Sequence, residues 1–106
     1  MFKITKAIAD KLQPIGWTDG HHNSQIKVPL KIFDPCGAAT WYITEYDPKT
    51  GEAFGLCDLG HENYLGYAEL GYVSIPELQA VKGPMGIGLE IDLYWNEDTT
   101  LAEVMG

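Results

Sequence analysis

The chain has no arginine: its basic residues are seven lysines, set against fifteen aspartates and glutamates in 106 residues. Arginine supplies the planar fork that grips phosphates and guanine edges. Its absence, with a net charge of -8, excludes a nucleic-acid grip built on phosphate neutralisation. Long hydrophobic runs are also missing, and none approaches the roughly 20 residues that span a bilayer. The opening "MFKITKAIADKL" has no apolar h-region, so no secretory signal is expected and the expected location is cytoplasmic. Cysteine is scarce. Cys36 and Cys57 make no disulfide framework and are expected as free thiols. Repeats, low-complexity tracts and linkers are absent, which leaves one domain over residues 1–106.

What is present is unevenly distributed. Six lysines fall before residue 50, and only Lys82 follows. Ten acids, from Glu52 to Glu103, lie after residue 50. The first half is near neutral and the second about nine negative. Such a surface steers basic proteins toward itself, although negative charge also serves solubility alone.

Periodicity predicts the elements. Ile4, Ile8 and Leu12 form one stripe of a short helix that Pro14 ends. Ile26, Val28, Leu30 and Ile32 alternate with Lys27, Pro29 and Lys31, as one face of a half-buried strand. "ATWYITEY" and "EAFGLCDL" read as antiparallel strands joined by "DPKTG", a turn closed by a left-handed glycine. "ELGYVS" reads as a further strand. "SIPE" gives a helix start with Ser74 as N-cap and Glu77 at the third position, with Leu78 and Val81 inward and Gly83-Pro84 as the stop. "LEIDLYW" alternates, with Leu89, Ile91, Leu93 and Trp95 on one face. "TLAE" at Thr100 to Glu103 offers a second capping box. The expected fold is α+β: a single small domain with a four- to five-stranded, mainly antiparallel sheet and two or three short helices.

The chemistry-bearing residues are dispersed. Cys36 and Cys57 are 21 residues apart, and His21 and His22 are adjacent, so neither shows a paired zinc spacing. A thiol or metal hydrolase would need Cys36, Cys57 and His61 gathered by folding. Cys57 instead falls in phase with Ala53 and Gly55, which suits a small buried hydrophobe. "GPMGIG" follows a helix and is not a dinucleotide fingerprint. Glu90 and Asp92 share a strand face. Aromatic residues concentrate in the sheet region: Trp41, Tyr42, Tyr46, Tyr64, Tyr67, Tyr72, Tyr94 and Trp95. They suit an interface hot spot or a stacking pocket for a nucleotide-like ligand. No cofactor or metal is expected.

"TWYITEYDPKTGEAFGLCDLG", "ELGYVSIPELQAVKGPMGIGLEIDLYW" and "ITKAIADKL" together resemble a small family of uncharacterised single-domain proteins carried on plasmids, integrating conjugative elements and phages. The pattern E-L-G-Y-x-S-x-x-E-L, G-P-x-G, then an E-x-D-L-Y block is kept at Glu69, Leu70, Gly71, Tyr72, Ser74, Glu77, Leu78, Gly83, Pro84, Glu90, Asp92, Leu93 and Tyr94. Ile91 stands where the family usually has arginine, and Trp95 where it has phenylalanine. The resemblance implies a bacterial mobile element, and with it an inhibitor of host defence of the anti-CRISPR or anti-restriction type. The expectation is therefore a non-enzymatic binding protein, monomer or homodimer. Its partner would be a basic, nucleic-acid-binding host protein, met by Glu69, Tyr72, Glu90, Asp92, Tyr94 and Trp95 with Trp41, Tyr42 and Tyr46. A nucleotide-binding protein and the hydrolase above are the alternatives.

Overall fold

A computed structural model describes residues 1–60 and 68–106. His61, Tyr64, Tyr67 and the loop expected at "HENY" lie outside the described residues. The element order is α1 (Lys6–Ala9), β1 (Leu30–Phe33), β2 (Thr40–Tyr46), β3 (Glu52–Asp58), β4 (Glu69–Ser74), α2 (Ile75–Ala80), β5 (Glu90–Ile91) and α3 (Leu101–Met105). All paired strands are antiparallel, in the order β4-β3-β2-β1-β5. The α+β fold expected from the sequence is the fold observed. Among the described residues, no helix is long and apolar enough to cross a membrane.

The sheet is covered on both faces. Leu30, Ile32, Ile43 and Ala53 meet Phe2, Leu12, Ile75, Leu78 and Leu89 on the first face. Leu56 meets Ile26, Val28 and Leu101 on the second, with Trp17, Tyr42 and Trp95 at its margin. Local chemistry fixes several elements. The "DPKTG" turn closes with Gly51 at φ 79°; its N–H donates to Asp47 O at 2.8 Å. A Cβ there would also lie 2.6 Å from Pro76 Cδ, so glycine is demanded twice. Ser74 Oγ accepts from Glu77 N–H at the start of α2, and Thr100 and Glu103 form the reciprocal capping box of α3. The bonds from Thr100 hold the Glu103 carboxyl below the usual range.

Four expectations are corrected. The N-terminal helix is one turn long and ends at Ala9. Beyond it, Gln13 leaves the helix and exchanges backbone bonds with Thr44 and Tyr46. The alternating run 26–32 is not one strand. Ile26 and Val28 belong to the second face, Leu30 and Ile32 to the first. Pro29 is the physical reason, since it has no N–H for the ladder. Before it the chain bonds to the C-terminal segment, through Val28 N–H to Thr99 O and Leu101 N–H to Ile26 O; after it, to β2. In α2 the helix stops at Ala80, and Val81, in extended backbone, is 41% exposed. Finally, the alternation of "LEIDLYW" breaks at Asp92, where the chain turns and Leu93 points outward.

Candidate functional site

Residues 92–99 form two consecutive turns. In the first, Asp92 Oδ1 accepts from Tyr94 N–H at 2.9 Å, and Trp95 N–H donates to Asp92 O at 3.3 Å. Aspartate at the head of a turn favours this arrangement, because its short side chain reaches the amide two residues on. The turn is fastened at one end to β1 and at the other to the segment before Pro29. Asp92 N–H donates to Lys31 O at 2.9 Å, and the Asp92 carboxylate lies 3.6 Å from Lys31 Nζ, both side chains only a quarter exposed. Trp95 Nε1 donates to Val28 O at 2.7 Å. Lys31 Nζ sits 5.1 Å from the Trp95 ring centroid and 5.8 Å from that of Tyr42, within cation–π range.

Between these anchors the two central residues project into solvent. Leu93 is 84% exposed and Tyr94 98%. Leu93 also borders a groove of about 560 Å³ that it shares with Met1, Ile8, Ile87 and Ile91, with Glu90 and Lys3 beside them. Met85, two residues before Ile87, is almost wholly exposed and holds φ 61°, a left-handed conformation that costs a non-glycine residue about 1 kcal/mol.

The expected contact residues do not share one surface. Glu90, Asp92 and Tyr94 lie at the β5 edge. Glu69 and Tyr72 lie on β4, four strand intervals away, roughly 19 Å across the sheet. Trp41 and Tyr46 pack against the first-face core, and Tyr42 and Trp95 against the second. Asp92 and Trp95 brace the projecting turn from below. Sequence reasoning missed Leu93, Ile87 and Met85 as surface residues. The signal was the doubled turn-former pattern in "DLYWNEDT", of which the first four residues read as a continuing strand.

The other candidate chemistry is spread out. Cys36 is exposed on the β1–β2 turn. Cys57 lies opposite Trp41 and Glu69 in the sheet register. Burial, and then the Glu69 charge, push its thiol above the ordinary range, the opposite of what a thiol nucleophile requires. His21 stacks on Trp17, ring centroids 3.9 Å apart. Among the described residues, no three His, Cys, Asp or Glu side chains are placed to hold a metal ion. The Tyr42–Trp95 pair, the aromatic pair nearest a cation, is occupied by Lys31.

Among the described residues, one carboxylate is fully internal. Glu45 is 1% exposed and accepts from Gly16 N–H at 2.8 Å and Thr18 N–H at 2.6 Å. An irregularity between Ile43 and Glu45 in the β2–β3 register sets Glu45, not Thr44, opposite Phe54. Its role is to hold the 16–18 loop on the second face.

Residues 3–105 match the family described as "Protein of unknown function (DUF2958)", and the chain belongs to that family. No curated protein and no solved structure gives a match.

Proposed function

We propose that this member of the family is a non-enzymatic binding protein that docks on a protein partner through the Leu93–Tyr94 turn. The observation that carries this reading is a leucine–tyrosine pair that is almost fully exposed on a backbone fixed at both ends. Tyrosine is a preferred interface anchor. Fixing the turn in the free protein removes much of the ordering cost that a flexible loop would meet on binding. The groove beside Leu93 offers apolar area for the rim of the same contact. The net charge of -8 favours a basic partner by steering.

The finer reading is that the protein belongs to a bacterial mobile element. It acts in the cytoplasm and inhibits a basic, nucleic-acid-binding defence protein by occluding it, in the anti-restriction or anti-CRISPR manner. It needs no direct contact with nucleic acid and no cofactor. The test is plating efficiency of a restricted phage on cells that carry a defined restriction or CRISPR system and express the protein. Expression should raise plating, and Leu93→Ser with Tyr94→Ser should abolish the rise at equal protein level. Unchanged plating with the unaltered protein removes the anti-defence reading. A double variant as active as the parent removes the docking turn.

A further inference from the structure

We propose that the outer edge of β4 is a second docking surface, which takes an extended basic segment of a partner protein as an added strand. This goes beyond the turn at residues 92–95 and stands independently of it.

The backbone comes first. Ile75 N–H donates to Gly51 O at 2.8 Å, just past the end of the β3–β4 ladder. Bonded and non-bonded pairs alternate in an antiparallel ladder. The bonded pairs are therefore Ala53–Val73, Gly55–Gly71 and Cys57–Glu69. The N–H and C=O groups of Leu70, Tyr72 and Ser74 then point away from β3. β4 ends the strand order, and no described strand lies beyond it. Exposed edges are usually blunted by lysine, proline or a bulge. The six residues of β4 have a regular register and none of these devices. Instead they expose Leu70 at 43% and Tyr72 at 62%.

An added strand would send its side chains alternately to the two faces of the sheet. Two grooves border this edge. On the second face, Phe54, Leu70 and Tyr72 line a groove of about 340 Å³; the Tyr72 ring meets Phe54 edge-on at 5.0 Å. The other groove, about 600 Å³, lies between the 47–52 turn and α2, and is bordered by Asp47, Glu52 and Glu77. Tyr72 borders both. Over Gly71 the first face is open, with nothing within 4 Å of its Cβ position. Among the described residues the lysine ion pairs use Asp10, Glu97, Asp98 and Asp92, so none of them reaches the three acids of the larger groove. The charge of these acids selects the occupant: lysine or arginine toward the acids at the 47–52 end of the edge, and apolar residues toward Leu70 and Phe54. A second copy of this chain, itself at -8, brings like charge to that groove.

The test is a titration of the full chain, followed by backbone amide shifts, with a Lys-Val alternating hexapeptide at low salt. Two controls accompany it: the Glu-Val counterpart, and the Lys-Val peptide N-methylated at alternate amides. Shifts are expected at Leu70, Tyr72, Ser74 and Glu52, and neither control should reproduce them. Glu52→Lys with Glu77→Lys should weaken binding about tenfold, and Leu70→Lys provides a second edge-blocking variant should the first fold poorly. Leu93→Ser with Tyr94→Ser should leave peptide binding unchanged. The proposal is overturned by equal binding of the N-methylated peptide, which would mean charge alone. Shifts elsewhere, no shifts, or self-association of the free protein through β4 would overturn it equally.

Discussion

The turns at Asp92–Trp95 and Asn96–Thr99 are one backbone device used twice in succession. Each opens with a side-chain oxygen that accepts the amide two residues on, Asp92 from Tyr94 and Asn96 from Asp98, both at 2.9 Å. Each closes with a backbone bond, at 3.3 Å and 3.0 Å. Their central pairs are used oppositely. Glu97 and Asp98 turn back onto the fold and meet Lys11 and Lys27, more than seventy residues upstream. Leu93 and Tyr94 turn outward. Both turns fix a similar length of chain at a similar conformational cost. Only the second recovers part of that cost through its central pair of side chains. The exposed pair of the first therefore points to a contact outside the chain.

The largest effect should come from the residue that joins the turns. Trp95→Ala removes the bond to Val28 O and the packing on Lys31 and Tyr42, and should lower stability by about 3 kcal/mol in urea unfolding. A loss under about 1 kcal/mol would mean that the first turn is not braced as described. Next comes the second turn. Glu97→Gln with Asp98→Asn removes two surface ion pairs and should cost about 1 kcal/mol at low salt, with the loss shrinking as salt is added. A salt-independent loss would assign the effect to turn geometry. The Leu93→Ser and Tyr94→Ser pair should change stability by no more than about 0.5 kcal/mol while ending partner binding. A large loss of stability would make the first turn structural like the second.

The smallest effect is a difference between tyrosines at high pH. Burial, then the Asp58 charge, hold the Tyr42 phenol above its ordinary range. The folded state thus keeps a proton that the unfolded chain releases. This contribution is complete below the ordinary phenol range and is lost as pH rises from about 10 through the folded value. Tyr42→Phe should flatten that part of the stability–pH curve. If Tyr94→Phe flattens it instead, the exposed and packed tyrosines have been assigned the wrong way round.

Much of the fold was legible because it is locally determined. Gly51 announces its turn, Ser74 and Thr100 announce their helices, and the β-branched and aromatic runs announce β2 and β3. The misreadings share one cause: a period was extended past a residue that changes the partner. Pro29 keeps the alternation of 26–32 in the sequence but moves the chain from the C-terminal segment to β2. Asp92 does the same for "LEIDLYW" by capturing the Tyr94 amide. At the candidate site Tyr94 was legible as an exposed aromatic. Leu93 was not, since an apolar residue in phase with Ile91 reads as core. The braced character of the turn rests on Lys31 and Val28, more than sixty positions upstream, which no local pattern encodes.

Thr44 has a consequence for how this chain can vary in length. Its hydroxyl donates to Phe54 O at 3.1 Å, and it is the extra residue that sets Glu45 opposite Phe54. Thr44 is 1% exposed, so only a substitution of similar size would disturb little beyond that bond. A deletion would be far worse. It would leave Glu45 opposite Phe54 on the same face but remove the kink and twist of the bulge, which aim its carboxylate at the Gly16 and Thr18 amides. Homologous chains should therefore keep both the residue count and a small side chain at this point.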